Sequence, residues 1–185
     1  LNRSRDAAER LGRLLDKIDD SEWGYVAGQI PLMWLLAGEI HEARRAAEDV
    51  LADERSSETD RLSAQLVLIP ALNLLGKPVS ALDRAMAILS PLADEGAFNE
   101  YLVGQLETAV PTGHRYAGDL DRAEEAALRV YERVTQQGAG LLRGVYALRL
   151  GQIALWRGAL VRAEQFFLEA VMALDGDAMT RASAV

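Results

Sequence analysis

Apolar residues recur along this chain at the three- and four-residue spacing of α-helices that bury one face. A first example lies at residues 4–18, where the apolar side chains are Ala7, Ala8, Leu11, Leu14, Leu15 and Ile18. Ala and Leu dominate the chain whereas β-branched and aromatic residues are few, and this composition favours helix over sheet. The pattern therefore predicts an all-α protein.

A short motif recurs along the chain at intervals of 38, 42 and 40 residues. Each copy has a glycine that is followed five residues later by an alanine. Glycine tolerates the left-handed backbone conformation that ends a helix, and a small alanine lets the next helix lie close. The motif therefore predicts the tight turn of a helical hairpin. The glycines are Gly38, Gly76, Gly118 and Gly158, and the alanines are Ala43, Ala81, Ala123 and Ala163.

Residues after each turn support the hairpin. Asp119 is a suitable N-cap, and Pro78 suits the first turn of a helix. Apolar residues stand nine and thirteen residues after each glycine, and this spacing of four keeps one face pointing inward. These pairs are Ala47 and Leu51, Ala85 and Leu89, Ala127 and Tyr131, and Phe167 and Val171.

These signals predict an α-solenoid of about four helical hairpins, each of roughly 40 residues, in a single domain over residues 1–185. Neither end carries a clear polar capping surface, so we expect a fragment of a longer protein. The repeats are 20–53, 59–92, 98–136 and 141–174, with a connector at 175–177 and partial helices at 4–18 and 178–185. The hairpin helices are 20–37 and 39–53, 59–75 and 78–92, 98–117 and 119–136, and 141–157 and 159–174.

Three prolines fall in the middle of predicted first helices, at Pro31, Pro70 and Pro111. An interior proline removes a backbone hydrogen bond and costs about 3 kcal/mol in a helix. Either these helices kink at the proline, or they begin later than the spacing indicates.

The fourth repeat resembles a tetratricopeptide repeat. The first helix and the turn match at Leu150, Gly151 and Gly158, and the second helix matches at Ala163, Phe167 and Ala170. The usual closing proline is absent, and the period is longer than the family's usual value of about 34 residues. The other repeats have Pro31, Ile69 and Pro111 where Gly151 stands. The resemblance implies stacked tetratricopeptide-like hairpins whose first helices line a concave inner surface.

Longer, Ala- and Arg-rich repeats of this kind resemble the helical region of large ATP-binding transcriptional regulators of the LuxR family, which includes the maltose-regulon activator. The strings that carry this resemblance are Ala117-Gly-Asp-Leu-Asp-Arg-Ala and Leu150-Gly-Gln-Ile-Ala-Leu-Trp-Arg-Gly. In that family an N-terminal ATPase and a C-terminal helix-turn-helix flank a helical array that senses an inducer. This sequence has neither a phosphate-binding Gly-x-x-x-x-Gly-Lys-Ser/Thr loop nor a basic recognition helix. The resemblance therefore implies the sensor or linker segment alone.

Charge and composition narrow the class of partner. The net charge of -8, with Arg interleaved with Glu as in Glu42-Ala43-Arg44-Arg45, argues against direct contact with nucleic acid. The absence of Cys excludes disulfides, thiolate nucleophiles and Cys-based zinc sites. The sequence shows no signal peptide and no run of about 18 apolar residues. We therefore expect no membrane contact and a cytoplasmic location.

The chain offers little catalytic chemistry. His41 and His114 have no Cys, His or carboxylate at metal-ligand spacing on the same face, so we expect no metal site. The run Gly138–Gly144 lacks the preceding strand and the third glycine of a dinucleotide-binding loop, and we interpret it as a turn. We therefore expect no cofactor and no enzymatic activity.

The predicted binding residues lie on the concave face. Arg115 suits an anionic group, while Tyr116 and Trp156 offer flat faces for a sugar, an aromatic ring or a peptide side chain. Alternatively, Trp156 packs between hairpins, as we expect for Trp23 and Trp34 in the core. The predicted set is Asn73, Thr112, Arg115, Tyr116, Gln152, Leu155 and Trp156.

The sequence leaves two functions open. The first is a sensor or linker segment of a LuxR-family regulator that binds a peptide, a partner protein or a small-molecule inducer on its concave face. The second is a scaffold that docks a partner protein or peptide without sensing a small molecule. In both cases the uncapped ends leave surfaces for self-association.

Overall fold

The computed structural model describes residues 2–92 and 100–182, and each element in these two stretches is an α-helix. The all-α prediction is confirmed. The first seven of the eight predicted hairpin helices agree with the structure to within two residues at each described end. The helices are α1 (Asn2–Leu14), α2 (Asp20–Leu36), α3 (Ile40–Ala52), α4 (Glu58–Leu74), α5 (Pro78–Leu92), α6 (Glu100–Tyr116), α7 (Leu120–Gln136), α8 (Gly140–Trp156) and α9 (Leu160–Ala182).

The chain divides into two compact units, Leu1–Arg84 and Ala85–Val185, and we describe each by itself as unit 1 and unit 2. In unit 1, α1 to α4 pack on their neighbours in the chain, and α2 also contacts α4. In unit 2, α6 to α9 do the same, and α6 contacts α8. The first helices of adjacent hairpins therefore lie side by side within each unit. The single repeat domain over the whole chain stays a prediction.

Each hairpin reverses at a glycine in the left-handed conformation, as the motif predicts. At the end of α6, the N–H of Gly118 donates to the carbonyl of Arg115 at 3.1 Å, and the N–H of Asp119 donates to that of His114 at 2.9 Å. These bonds satisfy carbonyls that the helix end leaves without partners. The φ angles are 80° at Gly38, 71° at Gly76, 82° at Gly118, 70° at Gly138 and 73° at Gly158. Gly138 therefore belongs to a turn, as interpreted.

Side chains cap some of the helices that follow these turns. The carboxylate of Asp119 accepts a hydrogen bond from the N–H of Arg122 at 3.1 Å, which confirms the predicted N-cap of α7. Pro78 is the first residue of α5, as predicted. Ser57 and Asp60 form a capping box at the start of α4, which sequence reasoning did not identify.

The alanine of each motif lies in the second helix of its hairpin, and it is buried there. All four are at most 2% exposed, and the two helices of the hairpins α2–α3, α6–α7 and α8–α9 pack together, as predicted. In unit 2 the core has two clusters of buried residues. One cluster is Ala123, Ala127, Leu150 and Ile153, and the other is Val130, Val134 and Tyr146.

The three mid-helix prolines lie inside continuous helices. Because α2, α4 and α6 all begin well before their prolines, the alternative that these helices start later is wrong. Pro31 and Pro111 stand seven residues before their turn glycines, and both are fully buried. Gly151 holds the same place in α8, against the ring of Phe167. This repeat position is therefore part of the core, and burial of the proline ring offsets its cost in the helix.

The prediction for the C-terminal part is wrong in two respects. First, α9 runs through 175–177 to Ala182, because helical glycine at Gly176 costs only about 1 kcal/mol and does not by itself end a helix. Second, Val171 is 55% exposed rather than inward-facing. Tyr131 holds the equivalent place in α7 and packs on Phe166 of the next hairpin, whereas Val171 has no following hairpin among the described residues. Positions 98, 99 and 183–185 of the predicted helices lie outside the described residues.

We expect Gly151→Ala to destabilise the protein by about 1–3 kcal/mol, because overpacking a dense core forces neighbouring atoms apart. A Cβ at position 151 would lie 2.6 Å from two ring carbons of Phe167. Urea unfolding followed by circular dichroism measures the loss as a lower midpoint. Gly140→Ala is the control, since its Cβ meets nothing within 4 Å. A Gly151→Ala variant as stable as this control would contradict the close packing of α8 on α9.

Candidate functional site

An arginine lies against two aromatic rings where α6 and α8 end. The Cζ atom of Arg115 is 4.8 Å from the ring centroid of Tyr116 and 5.0 Å from that of Trp156. The two rings meet edge to face, with centroids 6.2 Å apart and planes at 72°. These distances are within the range of cation–π and aromatic pair interactions. Three of the predicted binding residues therefore form one contact group.

The repeat explains why these residues meet. Tyr116 and Trp156 each stand two residues before a turn glycine, and each is the last residue of its helix. Because α6 and α8 lie side by side, equivalent positions of neighbouring hairpins come together. Arg115, one residue earlier on α6, then reaches the ring of Trp156 on α8. The turn glycines thus position the group.

Arg115 is largely buried as a residue and forms no ion pair within the described residues. The residue is 9% exposed, while Tyr116 and Trp156 remain 38% and 52% exposed. Between positions 115 and 162 the chain has eight arginines, and six of them form ion pairs. Within the described residues, Arg115 and Arg149 form none. The six paired residues are Arg122, Arg129, Arg133, Arg143, Arg157 and Arg162.

Arg149 is a second arginine without an ion pair in the described part of unit 2, and sequence reasoning did not identify it. Its Nη1 donates to Oε1 of Gln152 at 3.3 Å, and its buried Nε has no hydrogen-bond partner among the described residues. Burial lowers the pKa of Arg149, and the charge of the nearby Arg115 lowers that pKa further. The signal in the sequence is the spacing of Arg149, Gln152 and Trp156, which places all three on one face of α8. We call Arg115, Tyr116, Arg149, Gln152 and Trp156 the arginine–aromatic cluster.

Thr112 and Leu155, the two other predicted binding residues of unit 2, are not members of this cluster. Thr112 is half-buried one turn before Tyr116, and its hydroxyl donates to the carbonyl of Thr108 at 2.7 Å. Leu155 is 48% exposed and lines an apolar groove of about 360 Å³ with residues of α9. The other residues of this groove are Leu160, Ala163, Glu164, Phe167, Leu168 and Val171. Leu155 therefore belongs to a different surface feature from Arg115.

Asn73 occupies in unit 1 the repeat position that Arg115 has in unit 2, three residues before the turn glycine. It is 4% exposed, and its Oδ1 is buried without a hydrogen-bond partner among the described residues. A buried amide oxygen without a partner is uncommon in proteins. This repeat position thus carries a buried polar residue in both units. The unpartnered Oδ1 of Asn73 is a hydrogen-bond acceptor, whereas the guanidinium of Arg115 is a donor.

The remaining aromatic and imidazole side chains divide between core and surface. Trp23 is 7% exposed beneath the guanidinium of Arg55 at 4.1 Å, and the half-buried Trp34 lines a cavity of about 270 Å³ with it. His41 is exposed, and His114 is half-buried on α6. No group of three or more His, Asp or Glu residues that could hold a metal ion occurs in the described ranges.

Comparison with known proteins adds no assignment. No protein-family model matches the chain, and no curated protein matches it. Over residues 2–92 and 100–182, no helix is long and apolar enough to cross a membrane. The site therefore has to be interpreted from its own geometry.

We expect the imidazole of His114 to titrate below pH 6.5, because its burial disfavours the charged form and outweighs the attraction of Asp119. The unfolded chain then binds the proton more readily, so the free energy of unfolding falls as the pH drops below 6.5. NMR titration of the His114 ring gives the pKa, and urea unfolding at about pH 7.5 and about pH 5.5 gives the stability change. The change should shrink in His114→Gln. A folded-state pKa above 6.5 would contradict the direction of the effect.

Proposed function

We propose that this chain is a binding segment of a tetratricopeptide-like α-solenoid, and that the arginine–aromatic cluster is its ligand site. The observation that carries the proposal is the pair of unpaired arginines, Arg115 and Arg149, in a unit whose other described arginines between positions 115 and 162 are paired. A buried charge without a partner is costly, so it is retained where a partner binds. The half-exposed rings of Tyr116 and Trp156 give that partner an open contact surface.

The resemblance to LuxR-family regulators supports a place for this binding segment in a bacterial transcriptional regulator. In that role the chain is a sensor or linker, and the ATPase and the DNA-binding domain lie elsewhere in the protein. Ligand held between α6 and α8 changes the spacing of two adjacent hairpins, and hence the curvature or self-association of the stack. The coding sequence that flanks this segment tests the context directly. If the flanking sequence encodes neither an ATPase loop nor a helix-turn-helix, the assignment to a transcriptional regulator is wrong.

A protein-docking scaffold is the second candidate, and the apolar groove favours it. Leu168 and Val171 in this groove are 59% and 55% exposed. Their equivalents in α7, ten and thirteen residues after the turn glycine, are Leu128 and Tyr131, which pack against the next hairpin. The repeat thus indicates an amphipathic helix as the occupant of the groove.

We expect a thermal-shift screen of the purified chain against sugars, sugar phosphates, amino acids, nucleotides and short peptides to find a stabilising compound. At about a hundredfold excess over its dissociation constant, such a ligand adds about 2.7 kcal/mol to the free energy of unfolding. The shift should disappear in Arg115→Ala and in Trp156→Ala. It should persist in Arg129→Ala, whose side chain is 74% exposed and pairs with Glu125. A cooperative melt that no compound shifts would sink the ligand-site proposal.

For the scaffold candidate, we expect the isolated chain to self-associate through the groove at high concentration. Sedimentation velocity should show a concentration-dependent rise in mass, which Leu168→Glu removes because it places a charge on the apolar surface. Val79→Glu is the control, since Val79 is 63% exposed and lies outside the groove. Equal association in both variants would show that the groove does not hold a helix.

A further inference from the structure

The arginine–aromatic cluster carries two positive charges that the carboxylates around it do not neutralise. The half-buried carboxylates of unit 2 are already engaged, because Glu107 pairs with Arg133 and Glu124 pairs with Arg157 and Arg162. Their side chains are 19% and 18% exposed. The chain as a whole is acidic, with a net charge of -8, yet this site is locally cationic. A ligand that enters it is therefore selected for negative charge.

The charged donors of the cluster are those of two guanidiniums. Arg115 forms no hydrogen bond within the described residues, so no protein group there engages its five N–H donors. Arg149 uses one nitrogen with Gln152 and keeps its buried Nε–H unsatisfied. A planar guanidinium binds carboxylate or phosphate oxygens with two parallel hydrogen bonds. Two such groups, on the adjacent helices α6 and α8, suit an anion with at least three acceptor oxygens.

Charge and acceptor number distinguish between the two common biological anions. A single carboxylate has two oxygens and one negative charge, which leaves one guanidinium without a counter-charge. A phosphate monoester has three free oxygens and a charge of about -1.5 to -2 at neutral pH. That charge balances the two arginines, and the oxygens can accept from both of them.

The rings determine where the rest of the ligand lies. Tyr116 and Trp156 are more exposed than Arg115, which they contact, and than Arg149, so their rings form the solvent-facing side of the cluster. An anionic head group that reaches Arg149 leaves its organic part against these rings. A sugar or a planar base packs well on such faces.

We infer that the arginine–aromatic cluster binds a small phosphate monoester, with its phosphate between Arg115 and Arg149 and its sugar or base against Tyr116 and Trp156. This inference rests on the proposed function, because it names the ligand class of the same site. Arg149 decides between this class and a neutral ligand, since a neutral sugar or ring contacts the aromatic faces without needing the second guanidinium.

Isothermal titration calorimetry of the whole chain tests the inference with glucose 6-phosphate against glucose, and with AMP against adenosine. We expect at least one phosphorylated compound to bind at least about 100-fold more tightly than its neutral parent, with affinity that falls as salt is raised. Arg149→Gln should weaken that compound by at least about tenfold, and Arg149→Lys should restore part of the loss. Arg129→Gln should leave binding unchanged, because Arg129 is an exposed arginine on α7.

A second measurement needs no variant and so avoids any loss of folding. The Nε–H of Arg149 is buried, and its NMR signal should move when the phosphorylated compound is added to the wild-type chain. Equal binding of glucose or adenosine would overturn the phosphate inference and leave the ligand site standing. Tighter binding of the dicarboxylate succinate would do the same. Failure of every compound, in this titration and in the thermal-shift screen, would overturn both.

Discussion

The left-handed glycine at each turn is the constraint on which the rest of this structure depends. It ends a first helix at a defined residue, satisfies the last carbonyls, and returns the chain within two or three residues as a second helix. Because the same turn recurs at Gly118 and Gly158, α6 and α8 stop at equivalent points and lie side by side. The contact between Arg115 and Trp156 follows from that alignment rather than from any feature of the two side chains alone.

Close packing behind the turn holds this alignment. The motif alanines are almost completely buried, and Gly151 brings α8 so near to α9 that a single added methyl group meets the ring of Phe167. A dense core of this kind fixes the relative register of its helices, because alternatives leave voids or clashes. The closely packed face of each hairpin, which includes the motif alanine, therefore lies in the core. Arg115, Tyr116 and Trp156 lie at the C-terminal ends of α6 and α8.

The sequence was sufficient for the local features of the fold and insufficient for the environment of single side chains. The sequence alone predicted the turn glycines, the buried motif alanines and the cap at Asp119, because each depends on the conformation or size of a single residue. Arg115 and Trp156 were found from their place in the repeat. Arg149 was missed because an arginine in the middle of a helix normally lies in solvent, and its burial is a result of tertiary packing that one sequence does not show. The exposure of Val171 likewise depends on what packs nearby.

The position three residues before the turn glycine has a consequence for how such a chain diversifies. It is occupied by Leu35, Asn73, Arg115 and Leu155 in successive hairpins, while the four turns retain nearly the same backbone geometry. The glycine thus sets the turn between the two helices, and the residue three positions before it sets the chemistry at the end of the first helix. The four hairpins reverse in the same way whichever of these four side chains is present. The residue at this position therefore sets the local chemistry of a hairpin whose reversal is set by the glycine.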